Sequence, residues 1–196
     1  KSARIRITVS RGEEGSGTPT LLVSASEFFG YPEMLYESGA SAITLSGYRC
    51  ASMLLSAIKS TSFLASVAAA MTAKEAGTDE ALLLNEKGEV AEGAISNAFA
   101  VVDGAVFTPP VSSGALPGVT RAIALELAAD LGISSEERSL TVDDFLRADE
   151  AFLTSSLMEV LPLTSLDGRS IGDGKPGSVT LKILRALREL IRCECG

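Results

Sequence analysis

Four short stretches of this chain carry residue types that could do chemistry together. The first is Ala57-Ile58-Lys59-Ser60, an apolar run that ends in a lysine just ahead of a helical pattern. A lysine is ordinarily a solvated surface group. Removed from water, its ammonium form is disfavoured, its pKa falls, and the free amine becomes a nucleophile. The second is Glu92-Gly93-Ala94-Ile95-Ser96-Asn97-Ala98-Phe99, a carboxylate beside a tight turn of small residues. Such a turn admits a flat ligand at close range. The third, Gly114-Ala115-Leu116-Pro117-Gly118-Val119-Thr120-Arg121, is a Gly/Pro loop that opens a helix. Unpaired N–H groups at a helix N-terminus, with the Thr120 hydroxyl, suit a phosphate. The fourth, Phe152 to Val160, is a strand that ends in Thr154-Ser155-Ser156, and hydroxyls and amides at a strand terminus are a common place for ligands. Each stretch alone also reads as an ordinary loop, turn or surface charge.

The rest of the composition narrows the chemistry. The chain has no histidine, which removes Ser-His-Asp and Cys-His catalysis and every His-ligated metal site. Acid–base work must come from Lys, Asp, Glu, Tyr or Cys, or from a bound cofactor. The three cysteines, Cys50, Cys193 and Cys195, are neither a disulfide framework nor a zinc ligand set, and read as reduced thiols of a cytoplasmic protein. With 17 Lys and Arg against 25 Asp and Glu, the net charge is -8, which argues against nucleic acid as a partner. No apolar run reaches the ~20 residues of a membrane span, and the first residues, Lys1-Ser2-Ala3-Arg4, do not read as a signal peptide.

These stretches must be positioned by a mixture of hairpins and helices. Alternation of Ile5, Ile7 and Val9 with polar residues predicts a strand, and Leu21-Leu22-Val23 its hairpin partner across the turn 12–18. Residues 26–40 read as a linker, 41–46 as a strand and 61–76 as a helix with Phe63, Leu64, Val67, Ala70 and Met71 on one side and Gly77 closing it. A strand at 81–84 precedes the turn 85–88. Asp103-Gly104 joins strands 98–102 and 105–108 as a two-residue hairpin. A helix from Gly118 to Leu131 stops at Gly132, and Thr141 with Asp144 caps a short helix. Strands at 151–154 and 160–166 follow. Ser178 is expected to cap a last helix, with Leu181, Leu184, Leu187, Leu190 and Ile191 along it. The fold class is α+β, or a mixed, barrel-like α/β fold.

In order and spacing, Lys59, Glu92, the segment 108–121 and the segment 154–159 resemble the class IV aminotransferase family, the fold-type-IV pyridoxal-phosphate enzymes. This family includes branched-chain and D-amino-acid aminotransferases and aminodeoxychorismate lyases. The shared motifs are Glu92-Gly93, Asn97-Ala98-Phe99, Thr108 and Leu116-Pro117-Gly118-Val119-Thr120-Arg121, and the likeness spans most of residues 4–190. The resemblance implies pyridoxal 5'-phosphate as cofactor, and an enzyme that moves an amino group between an amino acid and a 2-oxo acid. Lys59 would form the Schiff base and Glu92 would pair with the pyridine nitrogen. Leu116 would pack on the ring, and Val119, Thr120 and Ser156 would hold the phosphate. Ser156, Leu157 and, more weakly, Arg11 would face a substrate carboxylate. The alternatives are a lyase that yields 4-aminobenzoate and pyruvate, and a non-catalytic cofactor-binding fragment. Three departures stand out: Phe63 lies where branched-chain enzymes carry Tyr, Ser62 where many relatives carry Asn, and the missing histidines set the chain apart from the D-amino-acid subtype. The resemblance also implies that residues 1–25 are the remnant of a small N-terminal domain, that 41–196 form the large cofactor-binding domain, and that the intact protein is a homodimer.

Overall fold

The computed structural model describes residues 2–15, 17–51, 56 and 58–195. Lys1 of the first strand, Ser16 of the turn 12–18 and Ala57 of the lysine stretch lie outside the described residues, as does the side chain of Cys195. The chain divides into two units, Lys1–Tyr31 and Pro32–Gly196.

The first unit is a hairpin. β1 (Ser2–Ser10) and β2 (Thr20–Phe28) pair antiparallel, with Ser2 opposite Phe28 and Ser10 opposite Thr20. Together they form a separate two-stranded sheet. The second strand continues past Val23 to Phe28, into the stretch expected to be a linker. That stretch also holds a helix of the second unit, α1 (Glu33–Ser38), whose Tyr36 is buried. Its apolar residues, Met34, Leu35 and Tyr36, are consecutive within six residues and leave no periodicity from which such a helix could be read.

The second unit runs β3 (Ala40–Leu45), α2 (Leu64–Glu75), β4 (Glu80–Leu84), β5 (Glu89–Gly93), β6 (Asn97–Val102), β7 (Ala105–Thr108), α3 (Val119–Asp130), β8 (Ser135–Glu137), β9 (Leu140–Thr141), α4 (Val142–Arg147), β10 (Glu150–Ser155), β11 (Glu159–Leu166), β12 (Arg169–Ser170) and α5 (Ser178–Cys195). Among the described residues, ten strands make one curled, mixed sheet. Its order is β8-β7-β6-β10-β11-β3-β4-β5-β9, with β12 on β11. Three pairings, β11–β3, β3–β4 and β7–β8, are parallel. The mixed α/β class read from the pattern is therefore observed. Asp103 and Gly104 take φ of 50° and 76°, the left-handed pair that a two-residue hairpin turn requires.

Phe99 on β6 and Phe152 on β10 are cross-strand partners. Both are fully buried, with rings stacked at 4.5 Å and 8°. This pair fixes the register that aligns the starts and ends of β6 and β10. Two helices differ from expectation. α2 buries Ala69 and Ala73 against Ala81 and Leu83 of β4, and leaves Leu64 79% exposed and Met71 58% exposed. Small side chains let the helix backbone approach the sheet, so its larger apolar residues face outward. α5 is not capped by Ser178, which is its first helical residue. The carboxylate of Glu150 on β10 instead accepts from the Val179 and Thr180 amides at 3.0 and 2.8 Å, and from the Thr180 hydroxyl. A side chain distant in sequence can satisfy orphan amides as well as a local cap does. The cap of α4 is local as expected: the Thr141 hydroxyl accepts from the Asp144 amide and the Asp144 carboxylate from the Thr141 amide.

Candidate active site

Glu92, Asn97 and Thr154 lie at or near strand ends of the curled sheet. Glu92 lies late on β5 and is buried. Its Oε2 accepts from the Leu116 amide at 2.8 Å and from Asn97 Nδ2 at 3.3 Å. Asn97, the first residue of β6, also donates to the Leu116 carbonyl at 2.9 Å. Its Oδ1 lies where a side chain on Gly118 would stand. Glu92, Asn97, Leu116 and Gly118 thus form one connected cluster that joins β5, β6 and the start of α3.

Gly118 is the N-cap of α3 and has no side chain with which to bond the first-turn amides. The turn also holds no acidic residue. Such an end attracts anions through its free N–H groups and dipole. Thr120 is buried within it, while Val119 is 72% exposed. Across the sheet, Thr154 on β10 pairs with Asn97. Its hydroxyl is buried and has no hydrogen-bond partner among the described residues. An orphaned polar atom and an uncapped helix end on either side of Asn97 are what a bound polar group would satisfy. Ser156 and Leu157 follow in the β10–β11 turn, Ser156 exposed and Leu157 half-buried. Met158 closes that turn by donating its amide to Ser155 Oγ at 3.2 Å.

Lys59 is exposed, in irregular chain ahead of α2. The desolvated pocket that would make it a nucleophile is not formed around it by the described residues of this chain. Arg11 is exposed in the loop after β1 and belongs to the first unit. Arg121, the cation of the Leu-Pro-Gly-Val-Thr-Arg motif, turns away from the helix end. Its Nη2 donates to the Pro109 carbonyl at 3.0 Å and pairs with Glu137 at 2.7 Å.

Two charged residues were missed. Arg49, in the chain after β3, forms an ion pair with Glu92 Oε1. Burial holds its pKa below the ordinary guanidinium value, though arginine stays charged. A signal was available: Arg49 is the only charged residue between Glu37 and Lys59, and a lone charge in so apolar a stretch needs a partner. The other is Glu80, at the start of β4. Its carboxylate lies under the turn that follows Glu92, accepting from the Ala94 amide at 3.2 Å and the Ser96 hydroxyl at 2.8 Å, besides its neighbour Ala81. Burial pushes its pKa above the usual carboxylate range, against the pull of those hydrogen bonds. Among the described residues no cluster of Cys, Asp or Glu could hold a metal ion, and no helix is long and apolar enough to cross a membrane.

The family model for amino-transferase class IV matches residues 1–166. The chain belongs to this family. Among its relatives, a Methanocaldococcus jannaschii protein provisionally named a branched-chain-amino-acid aminotransferase is 38% identical, over all of this chain and 69% of its own length. A D-alanine aminotransferase of Bacillus licheniformis is 39% identical over 83% of this chain and 56% of its own length. Among solved structures, the T.th. branched-chain amino acid aminotransferase with pyridoxamine 5'-phosphate is similar with a TM-score of 0.88 at 32% identity, covering 100% of this chain and 66% of that one. A Thermoproteus uzoniensis branched-chain aminotransferase with norvaline gives 0.84 at 32% identity, covering 98% and 65%. The chain therefore spans about two thirds or less of most of these relatives.

Proposed function

We propose that this chain is the cofactor-holding part of a pyridoxal-phosphate-dependent class IV aminotransferase, which moves an amino group between an amino acid and a 2-oxo acid. The observation that carries the reading is the Glu92 cluster. A buried carboxylate is tied through Leu116 and Asn97 to an uncapped helix N-terminus, so one rigid unit offers a negative group and an anion site together. A pyridine ring with a phosphate arm has matching needs. When bound, the cofactor supplies an electron-withdrawing ring that stabilises negative charge on the substrate carbon next to the amine.

The chain's own residues do the rest. Glu92 faces the ring nitrogen and favours its protonated form. Leu116, half-buried beside it, offers apolar surface to the ring. The Val119 and Thr120 amides, the Thr120 hydroxyl and Ser156 hold the phosphate. Lys59, exposed and reachable by an aldehyde, holds the cofactor, and its freed Nζ accepts and returns the substrate proton. The Leu157 amide, with Ser156, faces the substrate carboxylate, and Arg11 of the hairpin unit is a further candidate for it. Residues 1–25 read as the end of a small domain, and the intact enzyme as a cytoplasmic homodimer. The relatives named above are aminotransferases and give the lyase alternative no specific support.

The test is to load the purified chain with pyridoxal 5'-phosphate, reduce with borohydride and map the modified lysine. A modification confined to Lys59, with the visible band lost in Lys59→Ala, is expected. A band that survives in Lys59→Ala would overturn the assignment.

A further inference from the structure

The turn that joins β10 to β11 has a support outside the motif that contains it. Ser155 and Glu159 pair across the strands, so Ser156, Leu157 and Met158 form a three-residue connection. Short hairpin connections commonly close on a residue in the left-handed region, where glycine is usual. Here that residue is Glu159, with φ of +57°. The conformation is disfavoured for a residue with a side chain, so something must hold it. The Glu159 carboxylate accepts from Arg188 Nε of α5 at 2.7 Å. The same guanidinium lies over the ring of Tyr36 on α1, 4.8 Å from its centroid, and 3.8 Å from Glu33. Tyr36 in turn donates its hydroxyl to the Met158 carbonyl at 3.1 Å. One side chain from α5 thus reaches both ends of the turn, Glu159 directly and Met158 through Tyr36.

We infer that Arg188 is a positioning residue that fixes the Ser156–Met158 turn through Glu159 and Tyr36, and so sets the aim of the turn's amides and the Ser156 hydroxyl at an anion. The role of the turn rests on the reading proposed above, while the fixing of its backbone does not. A charge-assisted bond combined with a cation–ring contact is stiffer than either alone. The lever is long in sequence: α5 lies beyond the motif, and no spacing rule connects Arg188 to Ser156.

Two measurements on the whole chain separate the two parts. The first is amide hydrogen exchange of cofactor-free protein at Met158, whose amide is held by Ser155 Oγ, in wild type, Arg188→Gln and Arg188→Lys. Arg188→Gln is expected to speed exchange there by roughly tenfold, as for loss of one hydrogen bond to a charged group. Arg188→Lys should recover part of the protection. Arg188 is one-third exposed, and an unchanged far-UV spectrum shows that the variant still folds. Unchanged exchange at the turn overturns the inference whatever the cofactor does. The second measurement titrates pyridoxal 5'-phosphate against pyridoxal, which lacks the phosphate. Arg188→Gln is expected to weaken the phosphorylated form about tenfold and pyridoxal by no more than about twofold. Equal losses for both ligands overturn the aiming role, since general loosening would not distinguish them. Faster exchange with no change for either ligand leaves Arg188 as the fixing residue, but removes the turn from the phosphate site.

Discussion

Gly118→Ala isolates the joint between the helix end and the buried carboxylate. Gly118 has φ of −70° and ψ of 139°, which alanine adopts freely, so no backbone strain enters. The added methyl group overlaps Asn97 Oδ1 and stands 3.4 Å from the Arg121 Cβ. Asn97 is buried and must give way. In moving, it releases the Leu116 carbonyl, now 2.9 Å away, and its longer bond to Glu92. Leaving such a buried group unpaired costs about 1–3 kcal/mol. Against this, replacing glycine by alanine at a compatible conformation returns about 0.4–1 kcal/mol through the unfolded chain. The net expectation is a loss of about 1–2 kcal/mol, combining the two terms, which for a chain of this length lowers Tm by about 2–8 °C. Urea unfolding followed by far-UV circular dichroism suits a chain that has no tryptophan. The midpoint should fall while the slope stays constant. The same substitution in an Asn97→Ala background should be neutral or stabilising, since the overlapping atom is gone. An equal penalty in both backgrounds would refute the reasoning, because the cost would then not pass through Asn97.

The remaining predictions concern the two buried acids. Arg49→Gln leaves one oxygen of the buried Glu92 without its cation and should cost up to about 3 kcal/mol. Adding Glu92→Gln should restore much of the loss, and two independent penalties in thermal unfolding would disprove the pairing. Glu80 has a folded-state pKa raised by burial, so the stability it confers is full below the unfolded value of about 4.3 and is lost as pH rises through the folded value. Glu80→Gln keeps the acceptor for the amides but cannot ionise. Its stability should therefore gain on wild type as pH rises across that window in urea titrations, and a constant difference would exclude the assignment.

The parts legible in the sequence are those whose cause is local. Asp103-Gly104 and Thr141 with Asp144 carry their geometry within two to four residues, and the structure has them where the pattern does. Glu92, Asn97, Leu116 and Gly118 were each noticeable, but only the sheet shows that they touch. Other features failed for physical reasons. The apolar side of α2 was misjudged because close packing selected Ala69 and Ala73 rather than the larger residues. The cap of α5 came from Glu150, about thirty residues upstream of its first amides, and nothing local marks such a partner. Glu80 pairs with a turn fourteen residues on, again across strands.

The net charge of -8 gives a wrong impression of the site. Both buried carboxylates are already answered: Glu80 by amides and a hydroxyl, Glu92 by Arg49, an amide and Asn97. Neither therefore presents an unscreened charge to a nearby anion. The motif's own cation is committed elsewhere, to Pro109 and Glu137, where it braces the chain after β7 against β8. What is left for an anion is neutral: the first-turn amides of α3 and the hydroxyls of Thr120 and Thr154. Oriented dipoles bind an anion through short, directional bonds that fall off within a turn. Such bonds depend on how firmly the donors are held, far more than on the sum of charges over the surface. That shifts the weight of the site from its charged residues to the contacts that hold its backbone, Asn97 under Gly118 at one side and Arg188 behind the β10–β11 turn at the other.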